Sequence, residues 1–249
     1  AALPAAELRA PAQFATIQAA IDDARPGDVI TVQPGTYRER VRLKDRVTLR
    51  SAGDDAPGKL GLARAEATIL DGTGKPDTEP GVAMAEGAVL DGFTVTGVGH
   101  YDDAEWQRHF ATRGSDQAHE PIGAPGVAGV SVRGVNCEVR NNLVHHVGYT
   151  GIAITGVAGR TCAPLIVNNV CHRNMAGGIG SMNGSQAIIR GNTCFENFYA
   201  GIGHENASPL VELNRCFGNI RAGIGISEGA SPTVRSNLCY LNRRAGIGI

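Results

Sequence analysis

The side chains best suited to acid, base or metal chemistry are concentrated in one stretch, residues 99–125. It runs His100, Tyr101, Asp102, Asp103, Ala104, Glu105, Trp106, Gln107, Arg108, His109 and Phe110, followed by Arg113, Asp116, His119 and Glu120. Asp102, Asp103 and His109 carry groups that can move a proton, and Arg133 and His145, a little further on, are candidates for the same catalytic site. Tyr101 and Trp106, with Phe110, offer apolar ring faces, while Glu105, His119 and Glu120 can hold hydroxyl groups, a combination that suits a sugar. A metal centre of His109 and His119 with Asp102 or Glu120 is the alternative, without a tight ligand spacing to support it. The plain structural alternative is an amphipathic helix over 102–111 that packs Trp106 and Phe110 on the body of the protein as a lid.

The elements that must position this stretch are repeats. Asn192-Thr193-Cys194-Phe195-Glu196-Asn197 returns as Asn214-Arg215-Cys216-Phe217-Gly218-Asn219 and as Asn237-Leu238-Cys239-Tyr240-Leu241-Asn242. Each copy leads into Ala-Gly-Ile-Gly, and an earlier copy contains Asn169, Cys171 and Asn174. The cysteines at 171, 194, 216 and 239 are 23, 22 and 23 residues apart. That period suits a parallel β-helix coil of three short strands and three bends, and its Gly and Asn punctuation would break helical repeats. The expected architecture is one all-β solenoid over 1–249, with a capping helix within 12–27, an inserted loop at 99–125 and regular coils over 126–249. The chain stops inside a strand at Ile249, so further repeats, or a partner covering the open end, are expected there. A segment longer than about 15 residues that interrupts such a period is generally either functional or disordered.

Coils can be read as columns. Gly72, Gly92, Asn142, Asn169, Asn192, Asn214 and Asn237 align as one turn column, since Gly and Asn both tolerate left-handed backbone. Asp71 and Asp91 precede the first two members and, if stacked, would suit calcium. The cysteine column, continued backwards by Val144 and Thr94, reads as inward packing of small groups, with a Cu(I) site in a copper-handling protein as the sharper alternative. Cys137 and Cys162 stand outside it and are candidates for a disulfide. Alternation in Val130-Ser131-Val132-Arg133 puts Ser131 and Arg133 outside. The same register gives an outer lane of Gly180, Gly203, Gly225 and Gly248, with Met182, Glu205 and Ser227 beside it, and points His204 inward between Ser181 and Ile226. The lane glycines are either required by close packing or leave a smooth strip for a sugar, a sheet or a second subunit.

Residues 14–24 place Phe14, Ile17, Ile21 and Ala24 on one helical face before Arg25-Pro26-Gly27, and strands are expected at 29–32, 41–43 and 47–49. The run from Phe14 to Ile21, then Gly27 to Val32 and Pro34-Gly35-Thr36-Tyr37, resembles the opening of the pectin-lyase-like right-handed β-helix superfamily, and the Asn-x-Cys and Gly-Ile repeats resemble its carbohydrate-binding and sugar-hydrolase repeat proteins. The resemblance implies a right-handed parallel β-helix and a carbohydrate-related role. It does not choose among the superfamily's lyases, esterases, hydrolases, epimerases, tailspikes and copper-processing proteins. The paired Asp residues of its methylesterases, the Asp cluster of its polygalacturonases and the Asp-Pro-His-Asp motif of its epimerases do not occur here at matching positions.

Composition narrows the partners. With 249 residues, 34 Gly, 5% aromatic residues and a formal net charge of -1, the chain has the bends of a solenoid and no basic footprint for nucleic acid. No apolar run reaches a membrane span. Three functions then compete: a secreted or periplasmic protein that binds or processes a polysaccharide as a lyase, hydrolase or epimerase, a binding module without turnover, and an assembly protein using the glycine lane or the open end, as a homo-oligomer or with a partner.

Overall fold

In the computed structural model, which describes residues 5–115, 117 and 126–249, the chain winds as a parallel β-helix. Three sheets run its length, of nine, eight and eight strands among the described residues. One coil shows the plan: Glu138–Arg140 lies in the first sheet, Leu143–His145 in the second and Ile152–Thr155 in the third. The next coil repeats it in parallel register, pairing Val139 with Ile166, Val144 with Cys171 and Ile154 with Ser181. Strands this short are stable because each backbone bonds to the coils above and below while its alternate side chains fill a shared interior. That interior is a single apolar cluster reaching from Ala10 to Ile224.

The bends explain the Asn punctuation. Between the first and second sheets each coil uses one left-handed residue, among them Gly92, Asn141, Asn168, Gly191, Leu213 and Ser236. The following residue, Asn142, Asn169, Asn192 or Asn214, is buried. From Asn169 onward its amide oxygen accepts from the backbone and side-chain N–H of the Asn one coil earlier, as when Asn169 N and Nδ2 donate to Asn192 Oδ1 at 2.9 and 3.0 Å. The second bend is built the same way. His146, Arg173, Glu196, Gly218 and Leu241 are left-handed there, and Asn174, Asn197, Asn219 and Asn242 follow, linked by bonds such as Asn197 Nδ2 to Asn219 Oδ1 at 3.0 Å.

Two columns read from the sequence are offset in the early coils, by one residue at Gly92 and Thr94 and by a whole bend at Gly72. Phe93, not Gly92, occupies the turn column, since its N–H donates to Asn142 Oδ1 at 2.9 Å, and Gly72 bonds to Thr96 at the end of a second-sheet strand. Likewise Val95 rather than Thr94 continues the cysteine column, because Val144 pairs with Val95. The coils before 99 carry fewer repeat landmarks, so nothing in their sequence fixes that offset.

The amino-terminal cover is helix α1, Ile17–Asp23, shorter than the 12–27 segment. Thr16 caps it, accepting from Ala19 N at 3.1 Å, and Ile17, Ala20 and Ile21 are its buried face. A strand at Glu7–Ala10, unforeseen in the sequence, extends the first sheet beside Val29–Val32. A second short helix, α2, spans Ala63–Ala67.

Candidate functional site

The inserted stretch leaves the second sheet after Thr94–Thr96 and forms helix α3, Asp103–Ala111. Asp102 is its N-cap, accepting from Glu105 N at 2.9 Å. Trp106 is 1% exposed and packs with Phe198 and Ile220. Its indole N–H donates to Glu196 O at 2.9 Å, Phe110 stacks on it at 4.6 Å, and the Arg173 guanidinium lies 4.0 Å from its ring centre. Trp106 is therefore an anchor and not an open platform, because the bend at Phe198 and Ile220 offers it an apolar seat. His109 is 4% exposed and bonded to Glu105 at 2.9 Å, while Arg108 also bonds Glu105 and holds its carboxyl below the usual range. Asp102, Glu105, Trp106 and His109 thus hold the helix in place.

Beyond α3 the segment straps across later coils. Gln117 Nε2 donates to Phe198 O at 2.8 Å, Arg221 Nε donates to Gln117 Oε1 at 2.7 Å, and Arg244 donates to Gly114 O at 2.9 Å. The described part of the insertion, residues 99–115 and 117, therefore lies along the second bend from the coil of His146 to that of Arg244. His119 and Glu120 lie outside the described residues.

What the structure does bring together is Tyr101, Asp103, Arg173 and a group of imidazoles. Tyr101 donates to Asp103 at 3.1 Å and meets the His146 ring edge-on at 4.6 Å, and Arg173 reaches Asp103 at 3.5 Å. Burial, with the Asp103 hydrogen bond, drives the Tyr101 hydroxyl pKa up. His145 Nδ1 lies 2.8 Å from His146 Nδ1. Burial pushes His145 down to about 4, helped by His146. His172 falls to about 3, by burial first and then its cationic and imidazole neighbours. These rings are neutral at neutral pH. They begin a column on the outer face of the second sheet, where His172, Phe195, Phe217 and Tyr240 stack at 4.8 to 5.0 Å with nearly parallel planes. From His172 to Phe217 each ring's faces meet its neighbours, so this part of the column turns ring edges to solvent and is a poor stacking platform.

Arg133 belongs elsewhere. It ends Val130–Arg133 in the third sheet, away from the end where the insertion enters, and His145 is in the second sheet. The expected meeting of Arg133 with His145 does not occur, because adjacent strands of one coil face different sides of the solenoid.

The outer face of the third sheet is the other extreme. One column runs Arg42, Ala83, Ser131, Ala153, Gly180, Gly203, Gly225, Gly248 in unbroken register. Thr155, Met182, Glu205 and Ser227 border it on one side. On the other, backbone bonds stack Tyr149, Ala176, Tyr199, Arg221 and Arg244, with the Arg221 guanidinium 4.8 Å from the Tyr199 ring centre. Burial, with Glu205 nearby, raises the pKa of Tyr149. The insertion, through Gln117 and Arg221, supports this border.

The glycines of each Gly-Ile-Gly differ. A methyl group on Gly178, Gly201 or Gly223 would lie 2.6 to 2.8 Å from the backbone oxygen of the next coil, so close packing requires these three. On Gly203 the nearest atom would be Ala200 Cβ at 4.0 Å, and on Gly225 the same atom at 3.4 Å. The outward glycines at 203 and 225 are not demanded by packing. The register in the sequence picks out Gly180, Gly203, Gly225 and Gly248 as the outer lane, but it does not tell which glycines of the tripeptide packing requires.

The remaining candidates resolve into structural roles. Asp71 and Asp91 do not stack: Asp71 pairs with Thr96 in the second sheet and Asp91 with Arg140 in the first. Asp71 accepts from Thr73 N and Oγ1 at 2.9 and 2.6 Å. Asp91, 2% exposed, is bonded by Arg64 and Asn141 and flanked by Arg140 at 3.1 Å. Burial alone would raise its pKa, but these partners outweigh burial and lower it. The two carboxylates therefore lie in different sheets and do not form the stacked pair expected from the sequence. Cys171, Cys194 and Cys216 are sealed in the core, and burial and thiol contacts hold Cys194 and Cys216 well above the usual thiol range, which suits packing rather than a thiolate site for copper. Cys137 and Cys162 are both free thiols, with burial pushing Cys137 up to about 12. No described group of three or more His, Cys, Asp or Glu has the geometry to hold a metal ion.

The sequence pattern of right-handed β-helix regions matches residues 123–249, half of the chain. The protein belongs to the right-handed β-helix family. No curated protein matches this β-helix by sequence. Among solved structures, XylC in complex with xylose is 12% identical with a TM-score of 0.64, over 98% of this chain and 63% of that one. Pectate lyase Pel9A is 14% identical, TM-score 0.56, over 90% and 62% respectively. Pectin methylesterase PemA from Erwinia chrysanthemi is 12% identical, TM-score 0.52, over 90% and 71%. This β-helix thus spans less than two thirds of the first two, and at these identities the likeness is one of fold. No described helix is long and apolar enough to cross a membrane.

Proposed function

We propose that this β-helix is a carbohydrate-active protein that lays a polysaccharide along the outer lane of its third sheet, outside the cytoplasm. The observation that carries the reading is that Gly203 and Gly225 are bare without packing requiring it. A smooth floor lets sugar rings approach the backbone, and Tyr149, Arg221 and Glu205 on its borders carry hydrogen-bonding groups suited to hydroxyls. The fold neighbours that act on or bind sugars, XylC with xylose, the pectate lyase and the pectin methylesterase, agree with this class of ligand. Glu205 and Tyr149 are the titratable groups placed to act on a bound chain, while the insertion supports the Tyr199 and Arg221 border instead of forming the site itself.

The test is calorimetric binding and a turnover screen on neutral and uronate-containing polysaccharides, with and without Ca²⁺, for the native chain and Gly203→Val. A valine side chain on the lane should lower glycan affinity about tenfold or more with the thermal transition unchanged. Absence of glycan binding, or an affinity indifferent to the valine substitution, would sink this reading. Self-association relieved by the same substitution would instead move the lane to an assembly surface.

A further inference from the structure

The insertion meets the body of the β-helix first at His146. Tyr101 lies edge-on to its ring at 4.6 Å, and Gly148 leaves no room for a side chain beside the His100 backbone. His146 holds a left-handed backbone at the second bend, with φ of 53°. Its ring stands between Tyr101 on one side and His145 on the other.

The contact with His145 has room for a single hydrogen. Nδ1 of His145 faces Nδ1 of His146 at 2.8 Å, and Thr96 Oγ1 lies 3.3 Å from the former. At that distance one nitrogen carries a hydrogen and the other accepts it. The ring whose nitrogen accepts cannot take a proton there while the contact lasts, since two N–H groups would then oppose each other.

The neighbours reinforce this restriction. Arg173, the next left-handed residue of the same bend, opposes positive charge on His146, and Asp103 on the insertion favours it. Arg173 is itself shared between Asp103 and Glu196, each at 3.5 Å. The His172 ring centre lies 4.9 Å from that of His145, and its Nε2 is buried without a hydrogen-bond partner among the described residues. On the same outer face, α2 packs Ala65 with Leu143 and Val170, while its Glu66 accepts from Leu60 N at 2.7 Å and its Arg64 bonds Asp91. His109, further along α3, is bonded to Glu105 instead.

We propose that the facing imidazoles of His145 and His146 are an acid latch for the root of the insertion. While they share one hydrogen, Tyr101 and the start of α3 stay seated on the second bend; a proton on the accepting nitrogen parts the rings and lifts the root. Burial, the first cause in each ring, holds His145 near 4 and lowers His146, whereas a ring lifted into water returns toward about 6.5. Below about pH 6.5 the lifted state therefore binds a proton that the seated state does not, so seating is full above that value and is lost as pH falls toward 4. The same segment carries Gln117 to Arg221 on the border of the third sheet, which release of the root would loosen. The latch does not depend on what the lane binds.

The experiment is hydrogen exchange of the full chain from about pH 7.5 to about pH 4.5, corrected for the intrinsic rate, beside acrylamide quenching of Trp106, the single tryptophan. Opening of residues 99–106 should rise about tenfold for each pH unit below about 6.5, the slope of one proton, while Thr193–Phe195 and Arg215–Phe217 stay protected. His146→Asn keeps a residue that tolerates the left-handed bend and should flatten that slope. His172→Phe continues the stack on Phe195, leaves the facing pair in place and should retain the slope. Root amides that open only together with the core strands, in the native chain alone, would overturn the latch. So would an unchanged slope in His146→Asn, or a slope lost in His172→Phe and kept in His146→Asn.

Discussion

The second and third sheets are made by the same coils, yet their outer faces are opposites. The second sheet is framed at both ends by buried Asn columns and covered by a stack of His172, Phe195, Phe217 and Tyr240. The third has an Asn column only at its entry bend and presents Ala153, Gly180, Gly203 and Gly225. One face commits its side chains to satisfying the coil. The other is left open at two glycines whose replacement would meet nothing closer than 3.4 Å. In a solenoid, where every coil repeats its neighbour's constraints, a face freed of structural duties along several coils is the place where an extended ligand can be read without disturbing the stack.

The largest effect should come from breaking the frame. Asn197 accepts from Asn174 N and Nδ2 and donates to Cys171 O and Asn219 Oδ1 at 3.0 to 3.3 Å, all buried. Asn197→Ala strands those partners, and losses of 1 to 3 kcal/mol per buried unsatisfied group imply about 3 kcal/mol of destabilisation in urea unfolding. A change below about 1 kcal/mol would mean that the frame is not what holds the second sheet.

A sharper comparison uses two glycines in one tripeptide. Gly201→Ala places a methyl 2.8 Å from Gly223 O and should cost about 2 kcal/mol, as overpacking does. Gly203→Ala meets Ala200 Cβ only at 4.0 Å and should be neutral or stabilising by about 0.5 kcal/mol, because a strand glycine carries excess unfolded entropy. Equal costs at the two positions would return the lane to a structural explanation.

Much of this is legible in the residues alone, and for a physical reason. A 22 to 23 residue period can only be satisfied by stacking, and stacking makes each inward column visible as Ile, Val and Cys in register, as at Cys171, Cys194 and Cys216. Residues 102–111 also carry enough helical pattern to place α3 to within a residue. What the sequence hid was whatever depended on a partner from another coil. Trp106 looks like a platform until Glu196, Phe198 and Ile220 close over it. Asp91 looks free until Arg64, 27 residues earlier, reaches it. Gly201 and Gly203 look alike until the carbonyl of the next coil selects one of them. The one-residue error at Gly92 has the same origin, since the ladder bond from Phe93 to Asn142 spans 49 residues across the insertion.

The smallest predicted effect lies beneath the bare face. His204 points inward in line with Ser181 and Ile226, is 3% exposed, and has both ring nitrogens buried without a partner among the described residues, while Ser181 bonds Ser185 instead. Burial pushes its pKa down to about 4, from an unfolded value near 6.5. Between those two pH values the unfolded chain binds a proton that the folded chain does not. The stability owed to neutral His204 is therefore full above about pH 6.5 and is lost progressively as pH falls toward 4. His145 and His172 act with the same sign on the second sheet. His204→Leu, matching its neighbour Ile226, should raise stability by about 1 kcal/mol at neutral pH by removing an unsatisfied polar group. It should also make the decline between about pH 6.5 and 4.5 shallower without abolishing it, as measured by urea midpoints across that range. A pH dependence identical in native and variant chains would show that His204 does not contribute to the acid sensitivity, which would then belong to groups such as His145 and His172 of the second sheet and the paired carboxylates.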